Sequence, residues 1–253
     1  MSRTRRSIVR VGLLCAALLA ASLMGAARAS IGDFDRALAG IPLSDPERIL
    51  AAIEGGLEQP GFPGDGLLSL INGLASIPGS ANEMEMILLL FARALENGMP
   101  IDGLLPIGFQ LANALEEGLP IEGVLLEALK GIAQGSHISI IEAGISQRLT
   151  LLWSVRDLLF SRGVFRVPSG APQTSPNAIP AVRFDELVDQ IADALSDYLE
   201  GGGGPFDGQA MFVLVSDRLR RLPESVVAPE DVELVLGAIG PADLTQIALA
   251  ALT

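Results

Sequence analysis

The chain has few of the side chains on which most site chemistry rests. Cysteine occurs once (Cys15), histidine once (His137), tryptophan once (Trp153) and tyrosine once (Tyr198). Cys15 sits inside an apolar N-terminal run, so the rest of the chain can build neither a disulfide framework nor thiol chemistry. A zinc centre needs several His or Cys ligands. The paired acids Asp33/Asp35 and Glu83/Glu85 lack an EF-hand-like loop and read as solvated helix-end acids. A lone histidine can serve as a base near neutral pH, but no Gly-x-Ser-x-Gly elbow supplies a nucleophile. His137 follows an expected helix cap at Ser136, with Glu142 off its face, and reads as structural or exposed. The run Gly201 to Gly204 precedes Pro205 and lacks the Lys-Ser/Thr of a phosphate loop, so it reads as a hinge. No catalytic, cofactor or metal residue is expected.

Positive charge is also scarce. Against 30 acidic residues stand 17 basic ones, for a net charge of −13. Five of those bases lie in the first 29 residues, which hold no acid. Arg3, Arg5, Arg6 and Arg10 precede an uncharged run over residues 11–27, which ends at Ala27-Arg28-Ala29. A basic start, an apolar stretch and a small-x-small site make a signal peptide, with cleavage expected between Ala29 and Ser30. An uncleaved anchor is the competing reading, since the run approaches the length of a membrane span. Thr4 to Arg10 fits the twin-arginine export pattern as well as an ordinary basic start, so the route stays open. Without residues 1–29 the net charge is −18 over 224 residues. Such a surface repels nucleic-acid phosphates and anionic lipid heads, so neither nucleic-acid binding nor a membrane span after cleavage is expected. The location is then periplasmic or extracellular.

What the chain does have is helical periodicity. Phe184, Leu187, Val188, Ile191, Leu195, Tyr198 and Leu199 form an apolar stripe of period 3.6. Similar stripes predict helices over residues 136–161 and around Met211 to Leu222. No strict alternation marks a strand. Ser44 to Glu47 and Ser80 to Glu83 match the capping box. Pro46, Pro229 and Pro241 suit a first helical turn. The segment from Ala94 to Leu105 recurs 20 residues later, from Ala114 to Leu125, with eight of twelve positions identical. In it Gly98 and Gly118 end a helix in the left-handed conformation, Pro100 and Pro120 forbid continuation, and Asp102 and Glu122 bring negative charge to the next helix start. The prediction is an all-α fold with no β-sheet, an irregular array of antiparallel helical hairpins. Its expected parts are the helical-hairpin array (residues 30–165), a Pro-rich linker (166–182) and a C-terminal helical bundle (183–253). Pro168, Pro172, Pro176 and Pro180 make the linker an extended spacer.

Gly118-Leu119-Pro120-Ile121-Glu122 and Leu129 to Gly135 carry a resemblance. Residues 111–159 resemble a segment of uncharacterised exported bacterial α-helical proteins with a Gly-Leu-Pro-x-Glu helical hairpin. Those proteins usually carry Pro after the Glu, where this chain has Gly123, and a Pro-Glu helix start where it has Ser136-His137. The resemblance implies fold and export, and no activity. The leading expectation is therefore an exported, non-enzymatic interaction or structural module of the envelope, with an unknown envelope protein as partner. A carrier of an apolar small molecule, a lipid or quinone, is the alternative. Residues 86–91 with Phe109 and Trp153 could line its pocket, but the favoured reading of that run is a core helix buried on more than one side. A carboxylate hydrolase is the third class: the acids permit it, but aromatic platforms for sugars are few.

Overall fold

Each copy of the glycine-proline repeat closes a helix in the same way. Gly98 and Gly118 have φ of +66° and +73°, where a Cβ would collide with the backbone. Met99 N–H donates to the Ala94 carbonyl and Leu119 N–H to the Ala114 carbonyl, both at 2.9 Å. These are the six-to-one bonds of a Schellman end. Gly135, Gly163 and Gly202 close three further helices with the same bond pattern.

These stops fall within a computed structural model that describes residues 29–77, 81–168, 175 and 177–252. The expected signal peptide, apart from Ala29, lies outside the described residues, as do Ser80 of the second expected capping box and most of the loop between Ser169 and Pro176. The described residues are mostly helical. The elements are α1 (Ile31–Leu38), α2 (Pro46–Leu57), α3 (Gly64–Ala75), α4 (Ala81–Glu96), α5 (Leu104–Glu116), α6 (Glu122–Ala133), α7 (Ile138–Ser161), β1 (Phe165–Val167), β2 (Ala178–Pro180), α8 (Ala181–Glu200), α9 (Gly208–Arg220), α10 (Pro229–Ala238) and α11 (Pro241–Ala250).

The most extensive packing in the first half joins next-but-one helices. α1 lies on α3, α3 on α5 and α5 on α7, while α2 lies on α4 and α4 on α6. The odd-numbered and even-numbered helices thus form two layers, joined by contacts of α1 with α2, α4 with α5 and α6 with α7. α7 also packs on α8 and α11, and α9 packs on α8, α10 and α11. One cluster of buried side chains runs from Phe34 through Leu70, Phe91, Leu152 and Phe184 to Ala248. Buried residues on both sides of the proline-rich stretch belong to it.

Three expectations are corrected here. The fold is not free of β-structure: β1 and β2 pair in parallel, Phe165 opposite Ala178, Arg166 opposite Ile179 and Val167 opposite Pro180. Three-residue strands are too short to show alternation, and their partners lie thirteen residues apart in sequence. The stretch 166–182 is accordingly not an extended spacer at its ends. Ile179 is fully buried, and Arg166 binds Asp185 of α8 through Nε at 2.7 Å and Nη2 at 2.8 Å. Nor is Ser44 the cap of α2. Asp45 is, accepting from Arg48 N–H at 3.3 Å, because Glu85 on α4 takes the Ser44 hydroxyl and N–H. Those bonds, the hydroxyl's first, hold the Glu85 carboxyl below its ordinary range.

Candidate ligand groove

Leu89 and Arg93 on α4 and Asn97 just past its end follow one another at four-residue spacing, which puts them on one face. With Arg48 of α2 and Leu129, Lys130, Ile132 and Ala133 of α6, they line a half-open concavity of about 560 Å³. All three contributing helices belong to the even-numbered layer. The floor is aliphatic, and the polar lining consists of three cations and one amide.

One charge in this groove is unlike those elsewhere. Arg48 donates to both Glu96 oxygens, Nε at 2.8 Å and Nη2 at 2.7 Å. Arg93 makes a single longer contact to Glu96, at 3.3 Å. The Arg48 bonds, first among several causes, lower the Glu96 carboxyl below its usual range. Asp45 also acts on Arg48, raising its affinity for its proton along with Glu96. Lys130 has no such partner. Among the described residues every arginine is ion-paired, and Lys130 is the one basic side chain without a carboxylate. It is also the only lysine in the chain. On a strongly acidic protein, an unpaired cation over an aliphatic floor is where an anion with an apolar body can be held.

The residues singled out from sequence lie elsewhere. Gly98 and Pro100 follow α4, and Gly118 and Pro120 follow α5; none of them lines the groove. Glu122 opens α6, whereas Asp102 falls just before Gly103, the cap of α5. Ser30 caps α1, its N–H and hydroxyl donating to Asp33 at 3.0 and 2.7 Å, and Ala29 N–H donates to Asp65 at 3.0 Å. His137, rather than Ser136, caps α7: its Nδ1 accepts from Ser139 N–H at 3.3 Å. Of residues 86–91, only Leu89 reaches the groove. The other five are buried, and Phe109 and Trp153 pack half-buried against the core. The core reading therefore holds for most of that run.

A second, smaller concavity of about 150 Å³ lies between α6 and α7, around Val124, Ala128, Gly131, Ile140 and Ile145. Neither concavity carries a pair of acids. Asp189 and Asp193 do come together, but Arg148 bridges them. Among the described residues no cluster of three or more His, Cys, Asp or Glu could hold a metal ion. No single described helix is long and apolar enough to cross a membrane; α10 and α11 reach that length only as a pair bent by 79°.

Sequence reasoning missed the groove. The spacing of Leu89, Arg93 and Asn97 and the solitary lysine were visible; which cations lack a partner emerges only when the helices are stacked. No protein-family model, curated protein or solved structure matches the chain.

Proposed function

We propose that the chain is an exported, non-enzymatic α-helical binding protein of the bacterial envelope, which holds its partner in the groove over α2, α4 and α6. The observation that carries this reading is Lys130, the one described cation left without a carboxylate, on a body with 30 acids. Surface arginines here are neutralised as a rule, and Lys130, in a concavity, departs from that rule, which supports a partner outside the chain. The basic, apolar and small-x-small segments ahead of Ser30 support export, to the periplasm or beyond, by the twin-arginine or the general route. The size of the groove favours the carrier form of this reading, because small-ligand pockets run to about 300–1,000 Å³.

Amine labelling tests the reading. In the chain, an amine-reactive reagent has Lys130 and the N-terminus as its only targets, and a peptide digest separates them. Envelope extract should protect Lys130 and leave the terminus reactive. Equal labelling of Lys130 with and without extract refutes it.

A further inference from the structure

We infer that the occupant of the α2–α4–α6 groove is a single-chain aliphatic carboxylate, its acid group against Lys130 and Arg93 and its chain along Leu89, Leu129 and Ile132. The inference rests on the binding reading of the same groove and names its ligand class. Three observations select this class.

Size comes first. A concavity of about 560 Å³ suits a small molecule, whereas a partner helix, about 10–12 Å across with its side chains, would need a longer and wider trough. The lining comes second. Leu89, Leu129, Ile132 and Ala133 offer a floor without an acidic side chain, which a flexible methylene chain can cover. Such burial contributes in proportion to the apolar area removed from water.

Charge comes third. Arg48 and Arg93 share the Glu96 carboxylate, whereas the Lys130 ammonium has no carboxylate within ion-pair distance among the described residues, although Glu127 lies one turn away on α6. A carboxylate would supply that one direct counter-charge. A dianionic phosphate would bring a second negative charge beside Glu96 and Glu127. The Nε–Nη2 edge of Arg48 is taken by Glu96. Arg93 has only one ion-pair contact, so N–H groups remain for a second anion, and the Lys130 ammonium has three donors. Neither end suffices alone. The net negative charge of the rest of the protein opposes anions, so a short acid gains too little; an uncharged chain leaves Lys130 unpaired.

The test uses the full chain with Lys130 converted to its ¹³C-dimethyl form, which keeps the charge and places one lysine signal in the groove. That signal also separates groove binding from any uptake by the apolar run at residues 11–27. Dodecanoate, below its micelle concentration, should shift the Lys130 signal saturably. Dodecanol should bind about tenfold more weakly, the loss of one charge-assisted contact, and butanoate should leave the signal in place. Calorimetry on Arg93→Gln and Lys130→Met, both at exposed positions, should show the same order of loss with the helical dichroism unchanged. Equal affinity for dodecanoate and dodecanol overturns the proposal, as does a dodecanoate affinity that neither variant lowers. If dodecanoate leaves Lys130 unmoved while envelope extract still protects it from amine labelling, the ligand class is wrong and the groove reading stands. If neither affects Lys130, both fall.

Discussion

Replacing Arg148 with methionine should destabilise the protein more at pH 8 than at pH 5. Arg148 is 5% exposed and crosses from α7 to α8. Its Nη2 donates to the Asp189 carbonyl at 3.2 Å and to Asp189 Oδ1 at 3.1 Å, and it also contacts Asp193. Burial, with the nearby Asp193 charge second, raises the Asp189 carboxyl from 3.8 to about 6, and Arg148 pulls against both. Arg218 on α9 holds Asp193 at 3.2 Å and Asp197 at 2.7 Å, so Asp193 keeps one partner in the variant while Asp189 loses the one cation it pairs with among the described residues. Breaking a buried pair costs about 3–5 kcal/mol. Asp189 and Asp193 retain 23% and 32% of their side-chain exposure, which lowers the expected loss to about 2–3 kcal/mol at pH 8. The pH dependence follows from proton binding. Between the unfolded value of 3.8 and the folded value of about 6, the folded state holds more protons than the unfolded one. Stability therefore falls as pH rises through that window. Without Arg148 the folded value climbs further and the window widens upward, so at pH 5 Asp189 is neutral and the penalty shrinks. Urea unfolding followed by far-ultraviolet dichroism at both pH values measures this. Asp189→Asn in the variant background should restore part of the loss at pH 8. An equal loss at both pH values, or a double variant no more stable than the single one, refutes the reasoning.

Backbone and packing give three further outcomes, each read as a shift in the urea midpoint. A Cβ on Gly108 would lie 2.6 Å from Leu70 Cδ2 and 2.7 Å from Phe91 Cζ; both neighbours are core residues, so Gly108→Ala should cost about 1–3 kcal/mol. Gly118→Ala forces a side chain into φ of +73° and should cost about 1–2 kcal/mol. Gly144, inside α7 with open space around it, should behave oppositely, Gly144→Ala stabilising by about 0.5–1 kcal/mol; a loss there would show that α7 needs its glycine for packing.

How much of this could be read from the sequence depends on how far apart the causes lie. The turns at Gly98 and Gly118 were legible because the left-handed residue, the fold-back of Met99 and Leu119 and the following proline occupy neighbouring positions. The stripe on α8 was legible for the same reason: its residues Phe184, Leu187, Val188, Ile191 and Leu195 are all buried. The cap of α2 was misread because the residue that occupies Ser44 is Glu85, 41 positions away. The strands were missed because Phe165 meets Ala178 across a loop, with no periodicity to announce it. Pairing of next-but-one helices is likewise invisible to local signals, since a short connection says only that a chain reverses.

The groove follows from that last feature. Were each helix packed mainly on its successor, α4 would face α5 and its Leu89–Arg93–Asn97 stripe would look onto solvent alone. Because α2 and α6 flank α4 in one layer, the stripe lies along a trough that Arg48 of α2 and Lys130 of α6 also line. The glycine and proline of each repeat copy lie past the ends of α4 and α5 and outside the groove, whereas Asn97 of the first copy lines it. Turn residues and groove residues are thus near neighbours in sequence: Gly98 follows the helix that carries Arg93, with Asn97 just past that helix's end. A substitution at Gly98 should therefore disturb the groove only through the end of α4, whereas one at Arg93 should change its charge and leave the stack intact.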